Sequence, residues 1–464
     1  MEGMRVKKLA LFFGILLLAG LAVSASAAQF QFHGDLNNRF MLYTNQAGVY
    51  SAAETATLRN INKDGVSEAW GDIKYSLWVE AASDDSKIKG VYGIELGALR
   101  FGRDVAGSTG RNTGGSFSGD GVNIETRWAY TDFQLPWTER KSRVTIGLMP
   151  FTVNSYFWSE TAMGVRYTGA VFEPVVMTLA WVRGVENFND APEDKLFSDL
   201  DALTARIDFK VREKTPVGIF AVYQGRHPSD ADRQAFVSNA DYQVKKLRNV
   251  NFNIYTVGTD GKTSLGDLFL NWDLIYQGGS LTDNSAASRD VSSFFAHADA
   301  GVNFGNTRVT YTAWYSSGDS DPGDTQIRNY LSTDIDMTAS RVLMESYTND
   351  NYFTESTTIL DKGLILNKLA VDHKVSRKLT VGAALLYLQT AKDLTLGNGR
   401  RSKKIGTEID AHLSYMLFES TEFAVGAGYL FADDAMDAFE AAAQRDGKSD
   451  ADILRVDSRL RYTF

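Results

Sequence analysis

Glu408, Asp410 and His412 recur at every second position. On a β-strand that spacing puts two carboxylates and an imidazole on one face, where acid–base work or a metal would need them. The other histidines, His33, His227, His297 and His373, stand at neither metal-ligand nor triad spacing, and His412 reads more simply as a wall residue. The Gly-rich stretch from Gly107 to Gly121 lacks the lysine and the strand–helix setting of a phosphate-binding loop. The sequence therefore points to no catalytic set, no metal site and no cofactor. Its more abundant chemistry is charge. Arg455, Arg459 and Arg461 share one strand parity, and Arg39, Lys74, Arg127, Arg206 and Lys210 hold the matching parity elsewhere. The facing acids are Glu68, Asp72, Glu80, Glu95, Asp208, Asp273, Asp299, Glu408 and Asp410. Cations opposite carboxylates make a transverse field that orients polar solutes and ranks ions. The plainer account of any one of them is a solvated, self-neutralising wall.

These residues need elements that put every charge on one side. In the last segment Leu454, Val456, Leu460, Tyr462 and Phe464 alternate with Arg455, Asp457, Arg459, Arg461 and Thr463, broken only by Ser458. Near the start Phe30, Phe32, Leu36, Phe40 and Leu42 alternate with Gln31, His33, Asp35, Asn37 and Arg39. The same period of two recurs over 68–80, 203–211 and 405–415. Charges on one face of so many strands have no place in a dry core, so that face needs water. If the other face meets lipid, only a closed barrel satisfies both faces and every backbone group.

Strands are expected over 29–43, 66–81, 88–101, 122–135, 142–150, 162–172, 175–186, 200–211, 216–225, 249–258, 265–279, 292–304, 307–317, 363–374, 378–391, 404–418, 421–432 and 451–464. Long connections near 44–65, 102–121, 226–248, 318–362 and 433–450 alternate with short turns such as Thr259 to Ser264, Gly305-Asn306 and Glu419-Ser420. Long extracellular loops and short periplasmic turns are the pattern of an outer-membrane barrel, and both termini fall on the short-turn side. The fold class is all-β, a transmembrane antiparallel β-barrel of 18 strands or alternatively 16, wide enough for an aqueous channel. In the longest loop Asp319, Asp321, Asp324, Asp334 and Asp336 read as a solvated acidic loop, with calcium bridging to lipopolysaccharide as the sharper alternative. The segment 433–443 reads as a loop helix.

The N-terminus carries Arg5, Lys7 and Lys8, an apolar run from Leu9 to Val23, and small residues from Ser24 to Ala28. That is the three-part pattern of a cleaved secretory signal, so 1–28 is expected to be removed and 29–464 to form one barrel domain. With 27 Phe, 20 Tyr and 40 Gly against 7 Pro, the composition suits many strands and tight turns. The absence of cysteine excludes a disulfide scaffold and a thiolate metal site. A net charge of −9 argues against a nucleic-acid partner.

With the signal segment, the alternation, the terminal Arg461-Tyr462-Thr463-Phe464 and the segments Trp128–Phe133 and Val144–Pro150, the chain resembles a trimeric Gram-negative outer-membrane porin. Its Trp128–Phe133 and Val144–Pro150 segments are similar to those of several substrate-selective porins and of the homotrimeric porins of sulfate- or metal-reducing bacteria. The resemblance implies passive diffusion of small hydrophilic solutes and ions, a homotrimer, an outer-membrane setting in lipid and lipopolysaccharide, and no enzymatic activity. It also implies that Tyr462 and Phe464 form the signal for the barrel-assembly machinery, and that a third loop folds into the pore. That loop, Phe151 to Thr161, is short for the task, and Asn154, Tyr156, Trp158 and Glu160 are its candidate constriction residues. For Tyr156 and Trp158 an outer aromatic girdle is an equal expectation. The alternative function is a scaffold barrel holding a protein partner such as a multihaem cytochrome.

Overall fold

The computed structural model describes residues 28–45, 67–102, 124–136, 138, 142–186, 199–228, 233–236, 243–247, 249–285, 287–344, 357–440, 443–449 and 451–464. All but Ala28 of the expected signal lies outside them, as do the Gly-rich stretch 107–121 and most of 44–65. Nineteen strands follow one another: β1 (Gln29–Tyr43), β2 (Glu68–Ala82), β3 (Ile88–Arg100), β4 (Glu125–Gln134), β5 (Arg143–Asn154), β6 (Trp158–Phe172), β7 (Val175–Val185), β8 (Leu200–Arg212), β9 (Thr215–Arg226) and β10 (Asn251–Leu265). The rest are β11 (Leu268–Thr282), β12 (Ser288–Phe304), β13 (Thr307–Ser316), β14 (Gln326–Ile327), β15 (Leu364–Lys374), β16 (Leu379–Thr395), β17 (Arg401–Phe418), β18 (Thr421–Ala432) and β19 (Ile453–Thr463). The two-residue β14 only rests in parallel on β12. The other eighteen each pair antiparallel with the next, and β19 pairs with β1, with Arg39 opposite Arg459. Among the described residues the ring is closed, each barrel strand being paired on both sides.

Period-two alternation sorts the side chains as expected. Phe30, Phe32, Phe40, Leu77, Ile146, Leu203, Ile219, Leu274, Leu385, Ile409 and Phe423 face outward and are exposed. Such a continuous apolar belt suits a lipid surface. Among the described residues no helix is long and apolar enough to cross a membrane. At the seam the Phe464 amide and carbonyl bond those of Gly34 at 3.1 and 3.0 Å. The Phe464 ring takes the space a side chain at Gly34 would need, 2.4 Å from where its Cβ would stand.

Three local expectations are corrected. The stretch 259–264 is strand, not turn: β10 runs on to Leu265 because Asp260 and Thr263 keep register with β11, and the chain reverses at Gly266, whose φ of +60° favours glycine. The stretch 151–161 is almost all strand, since Phe151 pairs with Glu160 and Thr152 with Ser159, leaving only 155–157 as turn. The expected helix over 433–443 is a single 3-10 segment, Asp434–Phe439, started by the Asp433 carboxylate on the Asp434 amide.

The lumen wall is not polar throughout. Toward the long-loop end, inward positions carry Met149, Phe151, Phe220, Phe295, Leu366, Leu388, Leu430 and Ile453, all nearly fully buried in one apolar cluster. These strands are apolar on both faces there. Something must cover the inner face, and the chain's own turned-in segments do so.

Candidate functional site

Below the apolar cluster, and beside it at Arg127 and Glu160, the lumen wall carries close ion pairs. Arg39 Nε lies 2.6 Å from Asp72, both almost wholly buried. Arg459 reaches Glu422 at 2.8 Å and Arg461 reaches Asp35 at 2.7 Å. Arg127 holds Glu160 at 2.7 Å and stands 3.9 Å from Glu95, which Lys74 approaches at 3.8 Å. Glu80 takes Lys89 at 3.2 Å. Lys210 is exposed near the lower end of β8. Arg455 has no exposed surface; its guanidinium lies 5.1 Å from the Tyr43 ring centre and its Nε 3.5 Å from Asp457. The last-strand arginines are therefore not equivalent: two meet the lumen and one is packed away. Glu68 opens β2, and its side chain is outside the described residues.

The β5–β6 hairpin enters the lumen. Its tip reaches the β8, β10, β11 and β12 wall rather than standing above its own strands. Asn154 donates to Asp260 at 3.1 Å and Asp273 at 2.7 Å. Arg206 holds Asp260 at 2.6 Å and Asp208 at 2.7 Å, and donates to the Val153 carbonyl at 2.9 Å. Beside this contact lies a cavity of about 490 Å³ lined by Asn154, Arg206, Asp208, Asp260, Lys262 and Asp273. The Tyr156 hydroxyl is 3.0 Å from His297 Nε2, and His297 Nδ1 is 2.9 Å from Asp273. The Tyr156 ring stacks on Phe295 at 4.9 Å, and Trp158 meets Phe151 edge-on at 4.7 Å. Tyr156 and Trp158 are thus interior groups and not an outer girdle. Burial, with Asp273 and Asp299 close by, pushes the Tyr156 phenol far above its ordinary range, so it stays neutral.

Loss of the Arg206 guanidinium strands two carboxylates against each other and removes the donor to Val153. Arg206→Met is expected to lower barrel stability by about 1–3 kcal/mol. Urea unfolding in lipid vesicles measures this, and a change under about 1 kcal/mol would mean that the tip needs no such anchor.

A second segment, 317–344, lies across the lumen. At one end it joins the hairpin tip: Thr333 N donates to Phe157 O, and Ser159 N to Asp334 O, both at 2.8 Å. Gln277 of β11 brackets Leu331, donating to its carbonyl at 2.8 Å and accepting its amide at 2.9 Å. Gln224 of β9 accepts from Thr333 at 3.1 Å. At the other end Arg341 meets β17 and β19, half-way round the ring from β9. Asp319 is buried and held by Arg328, and Lys245 holds Asp334 at 2.6 Å, so these acids are not simply solvated. Tyr330 is fully buried, which raises its phenol well above the usual value.

Glu408 and Asp410 lie on the inner face of β17 and accept backbone amides of this bar rather than facing open water. His412 bonds Asp372 at 3.1 Å. Sequence reasoning did not single out Asp260, Arg341, Asp457, Gly426 or Gly428 as site residues. The legible signal was indirect: strands apolar on both faces at one level, and two glycines two apart on the inward parity of β18.

No family model matches the chain, and no curated protein matches it. Solved structures do. The outer membrane protein OpdK from Pseudomonas aeruginosa aligns with a TM-score of 0.52 and 13% identity, over 94% of this chain and 98% of that one. OpdK with vanillate gives 0.51 and 12%, over 94% and 98%. Acinetobacter baumannii OccAB4 gives 0.51 and 10%, over 95% of this chain and 100% of that one. At such identity the likeness speaks for architecture, and the architecture is that of an outer-membrane β-barrel.

Proposed function

We propose that the chain is a Gram-negative outer-membrane porin, a water-filled channel for passive diffusion of small hydrophilic solutes and ions, with no enzymatic activity. The observation that carries this is a closed eighteen-strand ring, apolar outside, whose lumen wall carries ion pairs and is narrowed by the chain's own segments. The charged groups of the wall, apart from the buried Arg455, are its pore-lining residues, and Asn154, Tyr156, Trp158 and Glu160 belong to its constriction. A scaffold barrel for a protein partner is less well supported, since the upper lumen already holds the hairpin tip and the bar. The finer parts of the same reading are a homotrimer, a cleaved signal over 1–28, assembly through Tyr462 and Phe464, a setting in lipopolysaccharide, and kinship with porins of sulfate- or metal-reducing bacteria.

Reconstitution in planar bilayers tests the reading. Stable unit conductances are expected, arriving in sets of three if the protein is trimeric. A well-folded protein that passes no current would sink the channel reading; single unit steps would remove the trimer alone.

A further inference from the structure

The far end of the lumen-crossing bar sits in a built socket. Residues 339–344 form a tight reversal: Ala339 N bonds Met344 O at 2.7 Å, and Ser340 Oγ accepts the amides of Leu343 and Met344 at 3.3 and 3.0 Å. The apex, Arg341 and Val342, points at the inner face of β17–β19. One Glu408 oxygen accepts both apex amides, at 2.8 Å from Arg341 and 2.7 Å from Val342, and Asp410 accepts the Arg341 amide at 3.2 Å. The Arg341 guanidinium meets both oxygens of Asp457 at 3.1 Å. Glu408, Asp410 and Asp457 are all buried.

Shape matches charge. Between these carboxylates β18 presents two glycines. A Cβ on Gly426 would lie 1.9 Å from Arg341 Nη1, and one on Gly428 would lie 2.9 Å from a Val342 methyl and 3.0 Å from Arg341 Cβ. Neither glycine is at a turn, so close approach of another segment is the use of the missing side chains. A charge-assisted contact from Arg341 Nη1 to both oxygens of one carboxylate and two amides on another are strong, directional contacts. The bar's near end is held separately, by Gln224, Gln277 and the hairpin tip on the opposite wall.

We propose that Arg341 is a positioning residue that sets the size limit of the channel: docked in the Gly426–Gly428 socket it keeps the bar across the lumen, and undocked it lets the bar move to the near wall and widen the passage. This rests on the channel reading above. A hydrated passage widens with cross-section, so release raises conductance and admits larger neutral solutes.

The cysteine-free chain permits a reversible test. In the double variant Arg341→Cys/Gly428→Cys the two Cβ atoms start near 3.0 Å apart. That is a few tenths short of the usual disulfide separation of about 3.5–4.5 Å, so a small shift closes the bridge. Oxidised, the variant is pinned in the docked position; reduced, it lacks the guanidinium contact to Asp457 and is left with the apex amides on Glu408 and Asp410 and the Lys368 bond to the Ala339 carbonyl. Heat-modifiable gel mobility confirms a folded barrel in both states, and thiol titration reports the bridge. Reduction is expected to raise single-channel conductance by roughly twofold or more and to extend the size cut-off in liposome swelling, with reoxidation reversing both. Asp457→Asn, which keeps the arginine, should give a smaller rise. A bridge that forms while conductance stays the same in both states overturns the aperture role. A folded barrel in which no bridge forms overturns the docked geometry. Loss of all current from the wild-type chain instead removes the channel reading, and the thiol titration still reports whether the socket is occupied.

Discussion

Replacing Arg459 and Arg461 together by glutamine is expected to turn permeation toward cations. Each of these arginines neutralises one lumen-wall carboxylate, Glu422 and Asp35 respectively, and both meet water. Their loss leaves two uncompensated negative charges on one side of the passage, and that surplus raises the local concentration of cations. In a tenfold salt gradient the reversal potential should move by a readable fraction of the about 59 mV that a perfectly selective monovalent channel would give. The shift should fade as ionic strength rises, since the screening length falls from about 10 Å at 0.1 M to about 3 Å at 1 M. Arg455→Gln is the control. That side chain is wholly buried beneath Tyr43, so its loss should weaken the fold and leave the reversal potential in place. Unchanged potentials in the Arg459/Arg461 variant would mean that neither arginine faces the permeation path.

The largest loss of stability is expected at the barrel seam. Arg39 stands opposite Arg459 on β19 and opposite Asp72 on β2, so around the ring the charges run Glu422, Arg459, Arg39, Asp72. Two cations stand at paired positions across the closure, each held by its own acid. Arg39 and Asp72 are 2% and 0% exposed, so removing the guanidinium leaves a buried carboxylate without its close partner. Arg39→Met should cost about 3–5 kcal/mol, whereas Arg39→Met/Asp72→Leu, which removes both charges, should recover most of that loss. Equilibrium unfolding in vesicles decides between them. A double variant no better than the single one would show that the pair aligns the seam by geometry and not by charge.

The strand ladder was largely legible in the sequence because alternation against lipid is a local property. β1 and β18 begin and end where the period-two pattern does, and all eighteen barrel strands fall on expected segments. Failures came where distant partners decide. Thr259 to Ser264 has turn-like composition, yet β9 and β11 on either side hold it extended. Phe151 to Thr161 looked like a loop because Asn154 and Ser155 interrupt it, yet register across the hairpin leaves three residues to turn. The candidate site was legible as a list and not as an arrangement. Arg39, Arg459 and Asp72 share the inward parity, and closure of the ring brings Arg39 beside the last-strand arginines, but the pairing of Arg39 with Asp72 is not marked in the sequence. The Arg341–Asp457 contact spans 116 positions, and no local pattern marks it. Tyr156 and Trp158 were equally compatible with the outer interface until the hairpin was seen to turn inward.

The apolar cluster inside the ring has a thermodynamic consequence. On the outer wall a leucine exchanges one oily neighbour for another, so its contacts owe little to water. Met149, Phe295, Leu366, Leu388 and Val342 are different, because they leave water only when hairpin tip and bar settle into the lumen. That settling is a folding reaction of the kind soluble proteins undergo, set inside the ring of strands. It should carry the positive heat-capacity change of apolar hydration on unfolding, weaken on cooling, and strengthen with excluded salts such as sulfate. The protein is in this respect two solvents' work: a lipid-ordered ring around a small water-ordered core, each with its own temperature dependence.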